Sequence, residues 1–195
     1  MIAPVRIHGY PISTWTRTAR MTCVEKGIPY ELVPIDRGSD AHGALHPFRR
    51  MPILEIDGTI IVESLAITCH LDEAFAGPIL QPEDHAGRAQ MRTWMSVCAD
   101  YLFRDVVRTV PRGRRISAEE RTTARTTLER AEQSIEANPF LVGDTLTLAD
   151  LYLAPQIANC LEKAPDLLEG LDGLTSWSRF ISARDSFRLT AYEMS

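Results

Sequence analysis

Cysteine is sparse and unclustered in this chain. The four residues Cys23, Cys69, Cys98 and Cys160 form no Cys-x-x-Cys pair and match no His/Cys metal spacing. Each falls in a segment that reads as helix, so each is expected to be a buried small hydrophobe, reduced in a cytoplasmic compartment. Positive charge is not in excess either: the net charge is -5, which argues against nucleic acid or an anionic membrane as the main partner. Arg112, Arg114 and Arg115 cluster beside Pro111 and Gly113. They lack the interleaved aromatics that base stacking requires, so they read as a solvated loop. There is no long apolar run at the N-terminus or elsewhere, hence no visible signal peptide or membrane span. Internal repeats and low-complexity segments are missing too. What remains is a chain of 195 residues, 45% hydrophobic and 24% charged, of the size and balance of a soluble cytoplasmic protein with one large domain or two modest ones.

The most informative stretch runs from Arg50 to Phe75. Asp57-Gly58 tolerates the positive φ of a two-residue hairpin turn, and the flanking runs Ile53 to Ile56 and Thr59 to Val62 are rich in β-branched residues. Met51-Pro52 opens the first strand, where a missing N–H is harmless. The second strand passes through Glu63 into Ser64, placed to cap a helix carrying Leu65, Ile67 and Leu71. Such a unit offers a main-chain edge at Met51, a carboxylate at Glu63 and a helix N-terminus at Ser64. An extended peptide could pair with the edge, set its carboxylate at the helix N-terminus and bring its amino group to Glu63. That ligand is small and zwitterionic at one end, as is the γ-glutamyl end of glutathione.

Upstream, Val5 and Ile7 alternate as a first strand ending near His8-Gly9. Ser13 stands at the N-cap of a helix from Thr14 to Lys26 that Gly27 ends, and Tyr30 to Ile35 form a second strand with Pro34 at an edge. A short helix over Asp40 to His46 precedes the hairpin. Gly77 to Pro82 reads as a linker, and the rest is helical in pattern. One long helix is expected from Asp84 to Val110, then one opened by the capping box Ser117 to Glu120 and closed at Asn138-Pro139. Another starts at Thr147 to Asp150, and short ones are expected near Pro165 to Leu168 and Thr175 to Ala183. The expectation is an α/β domain over residues 1–77 and an all-helical domain over 84–195.

Met-Pro-Ile-Leu, then Asp-Gly, then Glu-Ser-x-Ala-Ile with Leu71-Asp72 beyond it resembles the glutathione-site signature of the cytosolic glutathione S-transferases. Phe140 to Asp150 is similar to the folding motif of that family's helical domain, and Gly9-x-x-x-Ser13-x-x-Thr16-Arg17 to its serine-type, theta- or phi-like members. The resemblance spans nearly the whole chain. It implies a thioredoxin-like domain followed by an all-helical domain, with Pro52 cis and the Met51 main chain on the cysteinyl part of glutathione. Glu63 and Ser64 then hold the γ-glutamyl end, and Arg50, Arg37 or His42 the glycyl carboxylate. Thr147 and Asp150 are structural on either reading. The resemblance further implies a homodimer, an electrophilic and largely apolar second substrate, and no metal or redox cofactor.

Glutathione chemistry requires a thiolate. A free thiol ionises near pH ~8.5, and moving that by two units needs about 2.7 kcal/mol. One hydroxyl donor to a charged acceptor supplies about 1.5 to 3 kcal/mol, and a helix N-terminus roughly 0.3 to 1 kcal/mol. Ser13 combines both and is the catalytic candidate. Tyr10 is its rival, with Thr14 and Thr16 weaker ones, and no cysteine stands there for cysteine-dependent reduction. Trp15, Trp94, Cys98 and Tyr101 are the candidate pocket for the second substrate, whereas Arg104 is more simply paired with Asp105. The activity so implied is thiolate attack on an electrophile in a detoxifying transferase. A glutathione-dependent isomerase of the same fold and a non-catalytic glutathione-binding regulator are the alternatives.

Overall fold

The computed structural model describes residues 4–110, 115–135 and 138–192, so Pro111 to Arg114 of the expected basic loop lie outside the described residues. Arg115 is exposed. The chain divides into two units, one formed by residues up to Ile79 together with the segment from Asp185 onward, the other by Leu80–Arg184.

In the first unit the elements are β1 (Val5–His8), α1 (Thr14–Lys26), β2 (Tyr30–Val33), α2 (Asp40–Leu45), β3 (Ile53–Ile56), β4 (Thr59–Val62) and α3 (Ser64–Ala74). The strand order is β2-β1-β3-β4, with β1 parallel to β2 and antiparallel to β3. Pro34 therefore does follow an edge strand. Asp57 and Gly58 both take positive φ, 48° and 74°, as the tight hairpin demands. Alternating apolar residues of β1 and β3 (Val5, Ile7, Leu54, Ile56) bury one sheet face against Ala19 and Cys23 of α1 and Ile67 and Leu71 of α3. Burial pushes the Cys23 thiol up to about 12. The two helices are also tied by an ion pair away from water: Lys26 Nζ donates to Asp72 Oδ1 at 3.0 Å and to the Asp72 carbonyl at 2.9 Å.

A last helix, α8 (Asp185–Leu189), has no strong periodicity and was expected within the second domain; it belongs with the first unit instead. The reason lies in α1. Arg17 donates to the Phe187 carbonyl at 2.8 Å and lies 4.0 Å over its ring. Arg20 donates to the Thr190 carbonyl at 3.1 Å, and Ser186 to Glu25 at 2.5 Å. Cation, ring and carbonyls thus fix the tail on one face of α1.

The second unit holds α4 (His85–Val97), a π-helical continuation over Cys98–Val107, α5 (Ala118–Gln133), α6 (Leu148–Lys163), a 3-10 turn (Pro165–Leu168) and α7 (Asp172–Ser182). The long helix expected from Asp84 to Val110 is thus not uniform, and the Arg108 N–H bonds back five residues to Phe103 at 3.0 Å. In the wider turn Cys98, Leu102 and Val106, each four apart, all stay fully buried. Asp105 turns inward as well, accepting from Thr127 Oγ1 at 3.0 Å and from neighbouring Arg104 at 2.6 and 3.0 Å. The Arg104 hydrogen bond holds the Asp105 carboxyl below the usual carboxylate range, against the opposing effect of burial. A depressed folded-state value adds stability above the unfolded value and loses it as pH falls through the folded one, below about pH 4. Denaturant unfolding across the acid range is therefore expected to show a shallower acid limb for Asp105→Asn than for the parent chain.

Helix α5 carries the expected capping box, with Glu120 N–H on Ser117 Oγ and Ser117 N–H on Glu120, but ends at Gln133, before Asn138-Pro139. At the start of α6, Asp150 is fully enclosed and accepts from the N–H groups of Leu141 and Thr147, the Thr147 hydroxyl and the Trp177 indole. The structural role expected of Thr147 and Asp150 is visible in these bonds.

Candidate active site

The sheet register assembles the candidate residues of the first unit. His8 stands opposite Ile53, and Ile53 opposite Val62. One residue beyond these pairs, the three strands end together in Gly9, Pro52 and Glu63. A single rim thus carries the loop to Ser13, the Met51-Pro52 segment and the start of α3. The Met51-Pro52 bond is cis. Met51 lies outside both ladders, which end at Ile53, so its main chain is left unengaged by the sheet.

Four hydroxyls crowd the loop after β1, and their bookkeeping separates them. Tyr10 donates to the Ile35 carbonyl at 2.5 Å, so its hydrogen is spent within the fold. Thr14 and Thr16 are buried with hydroxyls that find no partner, and Thr16 is fully enclosed. Gly9 is required beside it, because a side chain there would collide with Thr16 Oγ1. Ser13 is half-exposed, as is Tyr10, but Ser13 is not committed to a carbonyl. It caps α1 by accepting from the Thr16 N–H at 3.3 Å, which leaves its own O–H free to donate.

At the other end of the rim, Glu63 rather than Ser64 occupies the N-cap of α3, with φ 70°, and Ser64 is the first helical residue. This corrects the expected cap by one position. No side chain closes the first turn of α3, so its N–H groups face outward unpaired by a cap. The Glu63 carboxylate is 65% exposed and has His46 Nε2 at 3.7 Å.

The candidates for the glycyl carboxylate separate as well. Arg50 and Arg37 are exposed. His42 is not available: it is 1% exposed, with Nδ1 accepting from Gly38 N–H at 3.3 Å and Nε2 directed at the Arg50 carbonyl at 2.9 Å. Its place is inside the turn that presents Arg50. His46, beneath Glu63, escaped sequence reasoning because nothing local links residues that far apart.

The second-substrate candidates divide between the two units, Trp15 in the first and Trp94, Cys98 and Tyr101 in the second. Trp15 is half-buried beside Ser13 on α1, and Trp94 is buried on α4. Cys98 corrects the expectation: it is fully enclosed in the second unit, and burial drives its thiol well above the ordinary range, so it packs as core and offers no surface. Tyr101 is 51% exposed, with the Arg104 guanidinium 5.6 Å from its ring. Arg104 is paired with Asp105 as expected. Cys69 is half-buried rather than core, the one departure among the four thiols.

Comparison with known proteins gives this geometry its context. The model of the glutathione S-transferase N-terminal domain matches residues 7–79, and that of the C-terminal domain matches residues 95–185. Mouse maleylacetoacetate isomerase is 32% identical over 174 residues, covering 83% of this chain and 80% of the relative. The chain belongs to the glutathione S-transferase family. Maize glutathione S-transferase 3 is 27% identical over 209 residues, covering 97% of this chain and 94% of its own. Among solved structures, a glutathione S-transferase III in its apo form superposes with a TM-score of 0.84 at 25% identity, over 96% of this chain and 95% of that one. A glutathione S-transferase from Methylobacterium radiotolerans, solved in complex with glutathione sulfonate, gives 0.82 at 25% identity over 99% and 98%. This member of the family therefore has the thioredoxin-like first domain and helical second domain that its sequence implied. No helix among its described residues is long and apolar enough to cross a membrane.

Proposed function

We propose that this protein is a glutathione S-transferase in which Ser13 holds the glutathione sulfur as thiolate for attack on an electrophilic, largely apolar second substrate. The observation that carries this reading is the division of labour among the hydroxyls: Tyr10 is committed to Ile35, while Ser13 keeps a free O–H at the start of α1. Glutathione lies along the rim. Its cysteinyl main chain pairs with Met51, its γ-glutamyl carboxylate meets the open first turn of α3 at Ser64, and its amino group meets Glu63. Arg50 takes the glycyl carboxylate. The thiol proton leaves to water, and the sulfur then forms a bond to the electrophilic carbon while the leaving group departs or the adduct is protonated.

A second reading has a specific observation behind it. The mouse relative is named an isomerase, and an isomerase of this fold adds the same thiolate to a conjugated double bond and expels it after rotation. Both need the same ionised sulfur, so a screen of haloarenes, epoxides and maleyl compounds separates them by product. A homodimer in the cytoplasm is part of the proposal on family grounds.

The binding half is tested by titration. Glu63→Ala is expected to weaken glutathione roughly ten- to a hundredfold, the cost of leaving the ligand ammonium without its charged partner. Unchanged affinity would remove Glu63 from the site.

A further inference from the structure

The side chain beneath Glu63 is not a passive filler. His46 is 1% exposed, and its Nδ1 accepts the Phe48 N–H at 3.2 Å, which fixes the ring proton on Nε2. That Nε2 lies 3.7 Å from Glu63 Oε1, a polar contact just beyond hydrogen-bond range. Among the described residues His46 is the one titratable group within ion-pairing distance of this carboxylate, which is otherwise open to solvent on a backbone turned to φ 70°. A long, exposed glutamate on a helix cap samples several rotamers, and one fixed polar ring at its base biases them.

We propose that His46 is a positioning residue for glutathione: its Nε2–H, close to Glu63, biases that carboxylate electrostatically so that its other oxygen faces the ligand's amino group, and its protonation in mild acid withdraws the carboxylate from the ligand. This rests on the reading that Glu63 receives the γ-glutamyl amine. The groups facing the ring are Glu63 at the N-cap of α3, His42 on α2 and Arg50 on the loop before β3. Burial lowers its proton affinity most, Glu63 opposes this, and His42 and Arg50 add to the lowering, so the neutral form prevails at pH 7. Protonation places a cation beside Glu63 and a second N–H against that of Phe48. The pair Glu63–His46 then carries no net charge, and its pull on an ammonium falls. Glutathione affinity should therefore decline as pH drops through the range below the ordinary histidine value.

The test is calorimetric titration of the full chain with glutathione and with glutaryl-cysteinyl-glycine, the same tripeptide without its amino group. At about pH 7.5, His46→Asn is expected to weaken glutathione roughly threefold, the loss of a polar contact to the Glu63 carboxylate, and to leave the deaminated tripeptide unchanged. Asparagine can still accept from Phe48 but does not titrate, so the decline in affinity of the parent chain below about pH 6.5 should vanish in the variant. In a Glu63→Gln background the substitution should have no further effect. Equal weakening of both tripeptides by His46→Asn would overturn the inference in favour of simple packing. Should the variant not fold, a parent affinity for glutathione that stays flat from about pH 6.5 down to the acid limit of the folded chain overturns it as well. Failure of the parent chain to prefer glutathione over its deaminated analogue would instead sink the placement of the amine at Glu63, and His46 with it.

Discussion

Ser13→Ala lowers turnover between about tenfold and a hundredfold and raises the ionisation midpoint of bound glutathione by about one to two units. That is the effect expected from deleting a hydroxyl donor worth about 1.5 to 3 kcal/mol to a charged sulfur. Binding should survive nearly intact, because the contacts proposed at Met51, Glu63 and Ser64 are untouched, so the loss appears in kcat and not in affinity. The same change removes the N-cap of α1, at about 1 kcal/mol of stability, which thermal unfolding measures separately. Ser13→Thr keeps both hydroxyl and cap and should retain most of the turnover. Tyr10→Phe forfeits only the bond to Ile35 and should leave kcat near that of the parent chain. Full activity in the alanine variant together with collapse in the phenylalanine variant would transfer the role to Tyr10.

Asp150→Ala is the costliest single change expected for stability. Two backbone N–H groups, one hydroxyl and one indole N–H all converge on this enclosed carboxylate. Burial alone pushes its carboxyl up, and those donors are what make an enclosed carboxylate tolerable. Removing it strands all four and leaves a void at the start of α6. A loss of about 3 to 5 kcal/mol follows, and with it a fall in Tm on the order of 10 °C for a chain of this length. Scanning calorimetry measures it directly. A fall of only a degree or two would mean that the segment before α6 re-forms its bonds without Asp150.

These two residues mark the limits of what could be read in the chain. Ser13, Gly27, Asp57-Gly58 and the capping box at Ser117 act through neighbours within four residues, so their spacing alone announces the elements they start or stop. Asp150 was legible because its capping partner Thr147 is three residues away, although the indole of Trp177 was not. The availability of Ser13 over Tyr10 depended on a carbonyl 25 residues further on. The burial of His42 and the approach of His46 to Glu63 depend on how the loop before β3 packs, which no periodicity records. The tail at Asp185 follows Arg17 and Arg20, more than 160 residues earlier. The π-helical stretch is missed because Cys98, Leu102 and Val106 also fit a buried α-helical stripe. Locally determined features were readable, then, and those set by distant partners were not.

The account turns on ionised glutathione beside Ser13, and ultraviolet absorbance of the thiolate, titrated against pH with saturating glutathione, reads that species itself. The predicted result is a thiolate band already developed at pH 7, with a midpoint one to two units below that of the free thiol at about 8.5 and displaced upward in Ser13→Ala. Glutathione that binds with the midpoint of the free thiol, or a midpoint indifferent to Ser13, would contradict it.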